Sequence, residues 1–176
     1  MWADVWKAWS AYHRCMGITL ATWLFAFPVL GFATGMRTMT PIAVLCWFAH
    51  FHYLAVGGTW GAWAGSLAAA VVFSVFAAGE WVGDKLPQTP NRTDAFPLIA
   101  RLAFGGLVGA LASAGVKGPA LEGILLGMLG AAMGTFAGFM LRRFFAEQCG
   151  RDLPVAIAED GIALLFAVLS LHMITS

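Results

Sequence analysis

The chain has 176 residues, of which 60% are hydrophobic and only 11% are charged. A soluble domain carries charge on about a quarter of its residues, so this composition excludes a soluble globular protein and predicts an all-α integral membrane protein. The net charge of +1 is uninformative, but the sequence has no basic tract that would indicate nucleic acid as a partner, and the lipid bilayer is the predicted one.

Six apolar segments are candidates for transmembrane helices, since a helical span needs about twenty apolar residues. Before them, residues 1–15 carry aromatic side chains largely on one helical face, which predicts an amphipathic helix at the membrane interface. Residues 16–176 then form a single transmembrane bundle. In chain order the segments are Met16–Gly35, Pro41–Val56, Gly61–Val82, Pro97–Val116, Pro119–Arg142 and Pro154–Ile174.

The second segment, Pro41–Val56, has about sixteen residues and is short for a span. Its length fits a tilted helix, a partly re-entrant segment, or a continuation of the first segment as a broken helix. Gly35 is suited to end one helix and Pro41 to begin the next, so the first pair is interrupted. The interruption exposes backbone N–H groups beside Arg37 and predicts an anion-binding turn. The alternative for Arg37 is a positively charged residue in a short cytoplasmic loop.

Threading the six segments across a membrane places most charged residues at one end of the bundle. Because basic residues mark the cytoplasmic side, this charged end is predicted to face the cytoplasm. Seven of the ten basic residues fall there: Arg37, Lys85, Arg92, Arg101, Arg142, Arg143 and Arg151.

Glu80 and Asp84 are four residues apart and project from one helical face. Carboxylates at this spacing can bind a divalent cation, share a proton, or pair with arginines of neighbouring helices. Glu80 lies inside an apolar segment, where an ionisable side chain indicates a ligand or proton role. The alternative is an ion pair with Arg37 or Arg101 that holds helices together.

Glu159 and Asp160 lie near the start of the sixth segment, where the helix dipole favours acidic residues. Adjacent residues on a helix point about 100° apart, so both acids cannot face the same partner, and one of the pair is predicted to join an internal polar site. A divalent cation such as Mg²⁺ is the candidate cofactor, held by carboxylates from the set Glu80, Asp84, Glu159 and Asp160. The complete candidate set for ligand, proton or ion binding is Arg37, Glu80, Asp84, Lys85, Arg92, Arg101, Glu159 and Asp160.

The fifth segment carries a stripe of small residues that predicts close helix packing. The packing could be internal or could form a homodimer. The stripe consists of Gly123, Gly127, Gly130, Gly134 and Gly138.

Three motifs give the chain a resemblance to a known family: "GMRTMTP" from Gly35, "EWVGDKLP" from Glu80 and "PVAIAEDGIALL" from Pro154. Together they resemble a family of small bacterial membrane proteins catalogued as domain of unknown function number forty-one twenty-six. The resemblance implies a multi-pass helical bundle and supplies no activity. A bacterial origin and a cytoplasmic charged end predict the inner membrane.

The broken first pair and the buried acids and bases favour a small transporter or permease. Its charged cavity would open to the cytoplasm and bind an anionic or a proton- or cation-coupled ligand. One alternative is a structural subunit of a larger membrane complex. Another is a metal-dependent enzyme that acts on a phospholipid or lipid-linked phosphate, although no evident nucleophile is present and enzymatic activity is the less favoured reading.

Overall fold

The structure, a computed structural model, describes residues 19–83, 95–149 and 152–176. These ranges contain six α-helices and one short 3₁₀ helix. The predicted interfacial helix over residues 1–15 lies outside them. The helices are α1 Leu20–Met36, α2 Met39–His50, the 3₁₀ helix Ala62–Gly65, α3 Leu67–Gly83, α4 Ala95–Gly115, α5 Ala120–Cys149 and α6 Asp152–Thr175.

Three of the helices are long and apolar enough to cross a membrane. Their apolar stretches are Phe96–Gly115 in α4, Ala120–Phe145 in α5 and Val155–Thr175 in α6. Helices α1, α2 and α3 are apolar but shorter, with 17, 12 and 17 residues. The predicted all-helical, membrane-type architecture is therefore confirmed, whereas six complete spans remain a prediction.

Helices α1 and α2 run in opposite directions and form a hairpin. At the start of α1, Trp23 packs against Gly118 in the α4–α5 connection. After α2, Leu54 packs against Gly115 at the end of α4, so the chain has returned to the end of the bundle where α1 began. The second segment therefore does not continue along the axis of the first.

The reversal between α1 and α2 lies deep in the bundle. Gly35, two residues before the turn, packs against Ala131 and Thr135 of α5. Thr135 is ten residues, or about 15 Å, before Phe145, where the apolar stretch of α5 ends. The hairpin thus turns nearer the middle of that stretch than its end, which favours the partly re-entrant arrangement.

The glycine stripe of α5 lies between two helices of the same chain. Gly130 and Gly134 face α1, where an added Cβ would overlap the carbonyl oxygens of Pro28 and Phe32. Gly123 and Gly127 face α4 in the same way. The fifth glycine, Gly138, lines a groove between α5 and α6. Four of the five glycines therefore serve internal packing, and a homodimer remains a prediction.

Candidate functional site

Arg37, at the reversal between α1 and α2, is completely buried and faces α6. Its Nε lies 2.6 Å from Oδ1 of Asp160, and a terminal guanidinium nitrogen lies 3.9 Å from Oε2 of Glu159. The side chains of Glu159 and Asp160 are also buried. The expectation that these two acids cannot face the same partner is therefore wrong, because different nitrogens of one guanidinium reach both carboxylates. Because a single buried charge costs several kcal/mol, Arg37 and the two acids stabilise one another and hold the turn against α6.

Glu80, near the end of α3, accepts hydrogen bonds from the start of α2. The backbone N–H of Thr38 donates to Oε1 and that of Met39 donates to Oε2, both at 2.8 Å. The first N–H groups of a helix have no partner within the helix, and they form its positive end. The carboxylate satisfies two of them and supplies the complementary charge. The neighbouring Trp81 donates from Nε1 to Oγ1 of Thr40 at 3.0 Å, which joins the same two helices.

Arg101, in α4, donates hydrogen bonds to the carbonyl groups at the end of α1, just as Glu80 accepts them from the N–H groups at the start of α2. Its guanidinium donates to the carbonyl oxygen of Gly35 and, at 3.3 Å, to that of Met36. Thr135 of α5 also donates its hydroxyl to the Gly35 oxygen at 3.3 Å. The last carbonyl groups of a helix are its negative end, so the turn meets a cation on one side and an anion on the other.

A cavity of about 400 Å³ opens between α3 and α4 at this turn. Its charged lining comes from Glu80 and Arg101, one on each wall. Residues at the start of α2 and apolar side chains complete the lining. The lining residues are Thr38, Met39, Phe76, Glu80, Pro97, Ala100 and Arg101. We call this cavity the α3–α4 cleft.

Residues 24–173 match the model of the family described as Domain of unknown function (DUF4126). The chain belongs to the DUF4126 family. The matched range includes every residue that meets at the turn. Comparisons of this DUF4126 protein with curated proteins and with solved structures find no match.

Five of the predicted site residues of this DUF4126 protein converge on the turn: Arg37, Glu80, Arg101, Glu159 and Asp160. The other three, Asp84, Lys85 and Arg92, lie outside the described residues. The backbone N–H groups predicted to bind an anion at this turn are occupied by the carboxylate of Glu80.

The acids proposed as magnesium ligands point to different partners. Glu80 binds the start of α2, whereas Glu159 and Asp160 face Arg37. Among the described residues, no group of three or more His, Cys, Asp or Glu side chains is placed to hold a metal ion. Asp84 is not among those residues, so the magnesium site remains a prediction.

Two residues of the site were not singled out by the sequence. Thr135 is a buried hydroxyl next to Gly134 of the small-residue stripe, and its polarity in an apolar helix was the available signal. Trp81 directly follows Glu80, but an aromatic residue near a membrane interface is common and does not by itself indicate a hydrogen bond to another helix.

Replacing Glu80 with alanine is expected to destabilise the folded protein by about 1–2 kcal/mol, the typical cost of losing a helix N-cap. The N–H groups of Thr38 and Met39 lose their acceptor, whereas glutamine keeps an acceptor oxygen and should cost less. Thermal unfolding in detergent measures both variants. Equal stability of Glu80→Ala and the wild type would contradict the capping role.

Proposed function

We propose that this DUF4126 protein is a small transporter that binds its ligand in the α3–α4 cleft. The observation that carries the proposal is the placement of Glu80 and Arg101 on opposite walls of one cavity, at a helix reversal far from the ends of α5. Transporters commonly place their binding sites near the middle of the bilayer, where interrupted helices present free helix ends.

The free-energy cost of burying charged side chains supports a functional site at the α1–α2 turn. Ionisable side chains within an apolar bundle are expensive and generally face its interior or a cavity. A hairpin that only anchored helices could turn at the membrane surface, where water satisfies the backbone. This hairpin turns inside the bundle and needs two arginines and three acids there, Arg37, Arg101, Glu80, Glu159 and Asp160.

Glu80 has a second role in the proposed mechanism. Its carboxylate holds the positive end of α2 in the resting state. A proton or cation bound by Glu80 weakens its hold on the two N–H groups, and these can then bind an anionic group of the ligand beside Arg101. Binding of the anion is thereby coupled to binding of the proton or cation.

The orientation of the site is part of the proposal. The five charged residues of the turn and Arg142 and Arg143 of α5 lie toward the same end of the bundle. Since basic residues mark the cytoplasmic side, the α3–α4 cleft opens toward the cytoplasm, and the protein resides in a bacterial inner membrane.

The proposal is tested on protein reconstituted in liposomes, with uptake of isotope-labelled inorganic phosphate, chloride or acetate compared with uptake by protein-free liposomes. We expect the wild type to take up at least one of these anions at a rate that grows with an imposed proton gradient. Glu80→Gln should lose the dependence on the proton gradient. Glu122→Gln removes a carboxylate at the opposite end of the bundle and serves as the matched control.

A binding measurement accompanies the uptake measurement. An anion present at about a hundred times its Kd stabilises the folded state by ~2.7 kcal/mol, which thermal unfolding detects in the wild type. Absence of both protein-dependent uptake and a stabilising anion across this panel would contradict the proposal.

A structural subunit of a membrane complex is the second candidate, and one observation favours it. Glu80 and Arg101 both bind backbone groups of the α1–α2 turn, so each has a purely structural task. If the charges serve only as clamps, Glu80→Gln lowers stability without changing any response to anions. Extraction in a mild detergent should then recover the protein in a larger complex of defined composition.

A further inference from the structure

A second cavity, of about 450 Å³, lies between α5 and α6 and is separate from the α3–α4 cleft. Its walls are almost entirely apolar. Arg142 is half-buried in it, and the acid Glu159 lies at its inner side. The lining residues are Met36, Gly138, Leu141, Arg142, Phe145, Val155, Ala158, Glu159 and Ile162. We call it the α5–α6 groove.

The surroundings of the α5–α6 groove identify the chemistry of its occupant. Both helices have apolar stretches long enough to cross a membrane. On the outer surface of α5 near the groove, Met140, Leu141 and Phe144 are about half to two-thirds exposed, as expected for side chains in contact with lipid. An acyl chain of the surrounding bilayer can therefore enter the groove without crossing a polar layer.

The basic residues next to the groove specify the head group. Arg142 lines it and the adjacent Arg143 is exposed. Basic pockets between membrane helices on the cytoplasmic side commonly bind anionic lipid head groups. Gly138, one helical turn before Arg142, contributes no side chain and leaves room for the hydrocarbon.

We infer that the α5–α6 groove binds one anionic phospholipid, with its acyl chain against Leu141 and Ile162 and its phosphate at Arg142. This inference does not depend on transport through the α3–α4 cleft. Because the groove also contains Glu159, which is paired with Arg37, the bound lipid lies against the ion pairs that hold the α1–α2 turn.

The test measures lipid binding to delipidated protein in detergent by native mass spectrometry. Dioleoyl phosphatidylglycerol is compared with dioleoyl phosphatidylcholine, which has the same chains but no net charge. We expect phosphatidylglycerol to bind about five-fold more tightly, the effect of one basic residue near an anionic head group. Arg142→Gln should abolish this preference and retain the weaker binding of both lipids.

A second variant tests the apolar part of the groove without changing charge. Ala158 is exposed and lines the groove, so Ala158→Leu fills it from a position with free space and should reduce binding of both lipids. The matched control is Ala68→Leu, an exposed alanine of α3 outside the groove, which should bind like the wild type.

Four results would overturn the inference. The first is equal binding of the two lipids to the wild type. The second is an unchanged preference for phosphatidylglycerol in Arg142→Gln together with unchanged binding of both lipids to Ala158→Leu. The third is a protein dimer that Ala158→Leu dissociates, because the groove would then hold a second copy of the chain. The fourth is displacement of the lipid by inorganic phosphate added alone as a competitor, which we expect to leave lipid binding unchanged and which would otherwise identify a site for free anions.

Discussion

Replacing Arg37 with glutamine is expected to destabilise the folded protein by about 3–5 kcal/mol, the usual cost of breaking a buried ion pair from one side. The variant leaves Asp160 and Glu159 buried without the guanidinium that lies 2.6 Å and 3.9 Å from them. Thermal unfolding in detergent, together with the yield of monodisperse protein, measures the effect.

A matched control and a double variant identify the cause. Lys117→Gln removes an exposed basic residue of the α4–α5 connection and should change stability by less than about 0.5 kcal/mol, as for most surface substitutions. Adding Asp160→Asn to Arg37→Gln removes one of the stranded charges and should recover part of the loss. If Arg37→Gln is as stable as Lys117→Gln, the buried ion pair does not hold the turn.

The second large effect is expected at Gly127, where three helices meet. Its backbone touches Gly31 of α1 and Gly105 of α4, and an added Cβ would overlap the carbonyl oxygen of Gly105. Backbone atoms cannot rotate away as side chains do. We therefore expect Gly127→Ala to cost about 3 kcal/mol, the upper part of the range for overpacked cores.

Gly161 of α6 provides the comparison for Gly127. It is also inside a helix, but an added Cβ meets nothing within 4 Å. Gly161→Ala should therefore leave stability unchanged or raise it by up to about 1 kcal/mol, because alanine is the better helix former. Thermal unfolding compares the two variants in the same detergent. Similar stabilities for both would show that the three helices can separate at little cost.

The sequence predicted where the helices lie and, in part, which charged residues come close together. Each of the six apolar segments overlaps one of the six α-helices of the described residues, although the second segment is short for a span. Pro41, Pro97 and Pro154 lie in the first turns of α2, α4 and α6, whereas Pro119 directly precedes α5. Charge sorting placed Arg37, Glu80 and Arg101 toward one end of the bundle. The partner of each charged side chain was less predictable, because the same acidic or basic residue can form either an ion pair or a hydrogen bond with the backbone. Glu80 accepts hydrogen bonds from N–H groups of α2, whereas Arg37 forms an ion pair with α6.

The depth of the turn was not predictable from the apolar pattern. The interruption between Gly35 and Pro41 fits a surface loop as well as a re-entrant hairpin, because the local backbone chemistry is the same in both. Contacts with Thr135 place the turn deep beside α5. Those contacts depend on glycines of α1 and α5 that are about a hundred residues apart in the chain, and local patterns carry no information on that pairing.

Composition and segment length alone establish that the chain is a helical membrane-type protein whose charges gather toward one end, because a chain with so few charged residues cannot cover its surface against water. The partners of the charged side chains and the depth at which the α1–α2 hairpin turns follow instead from how the helices pack. The physical reason is that the backbone ends of a broken helix must find partners inside the bundle, and the packing of α3, α4 and α6 around the turn selects them.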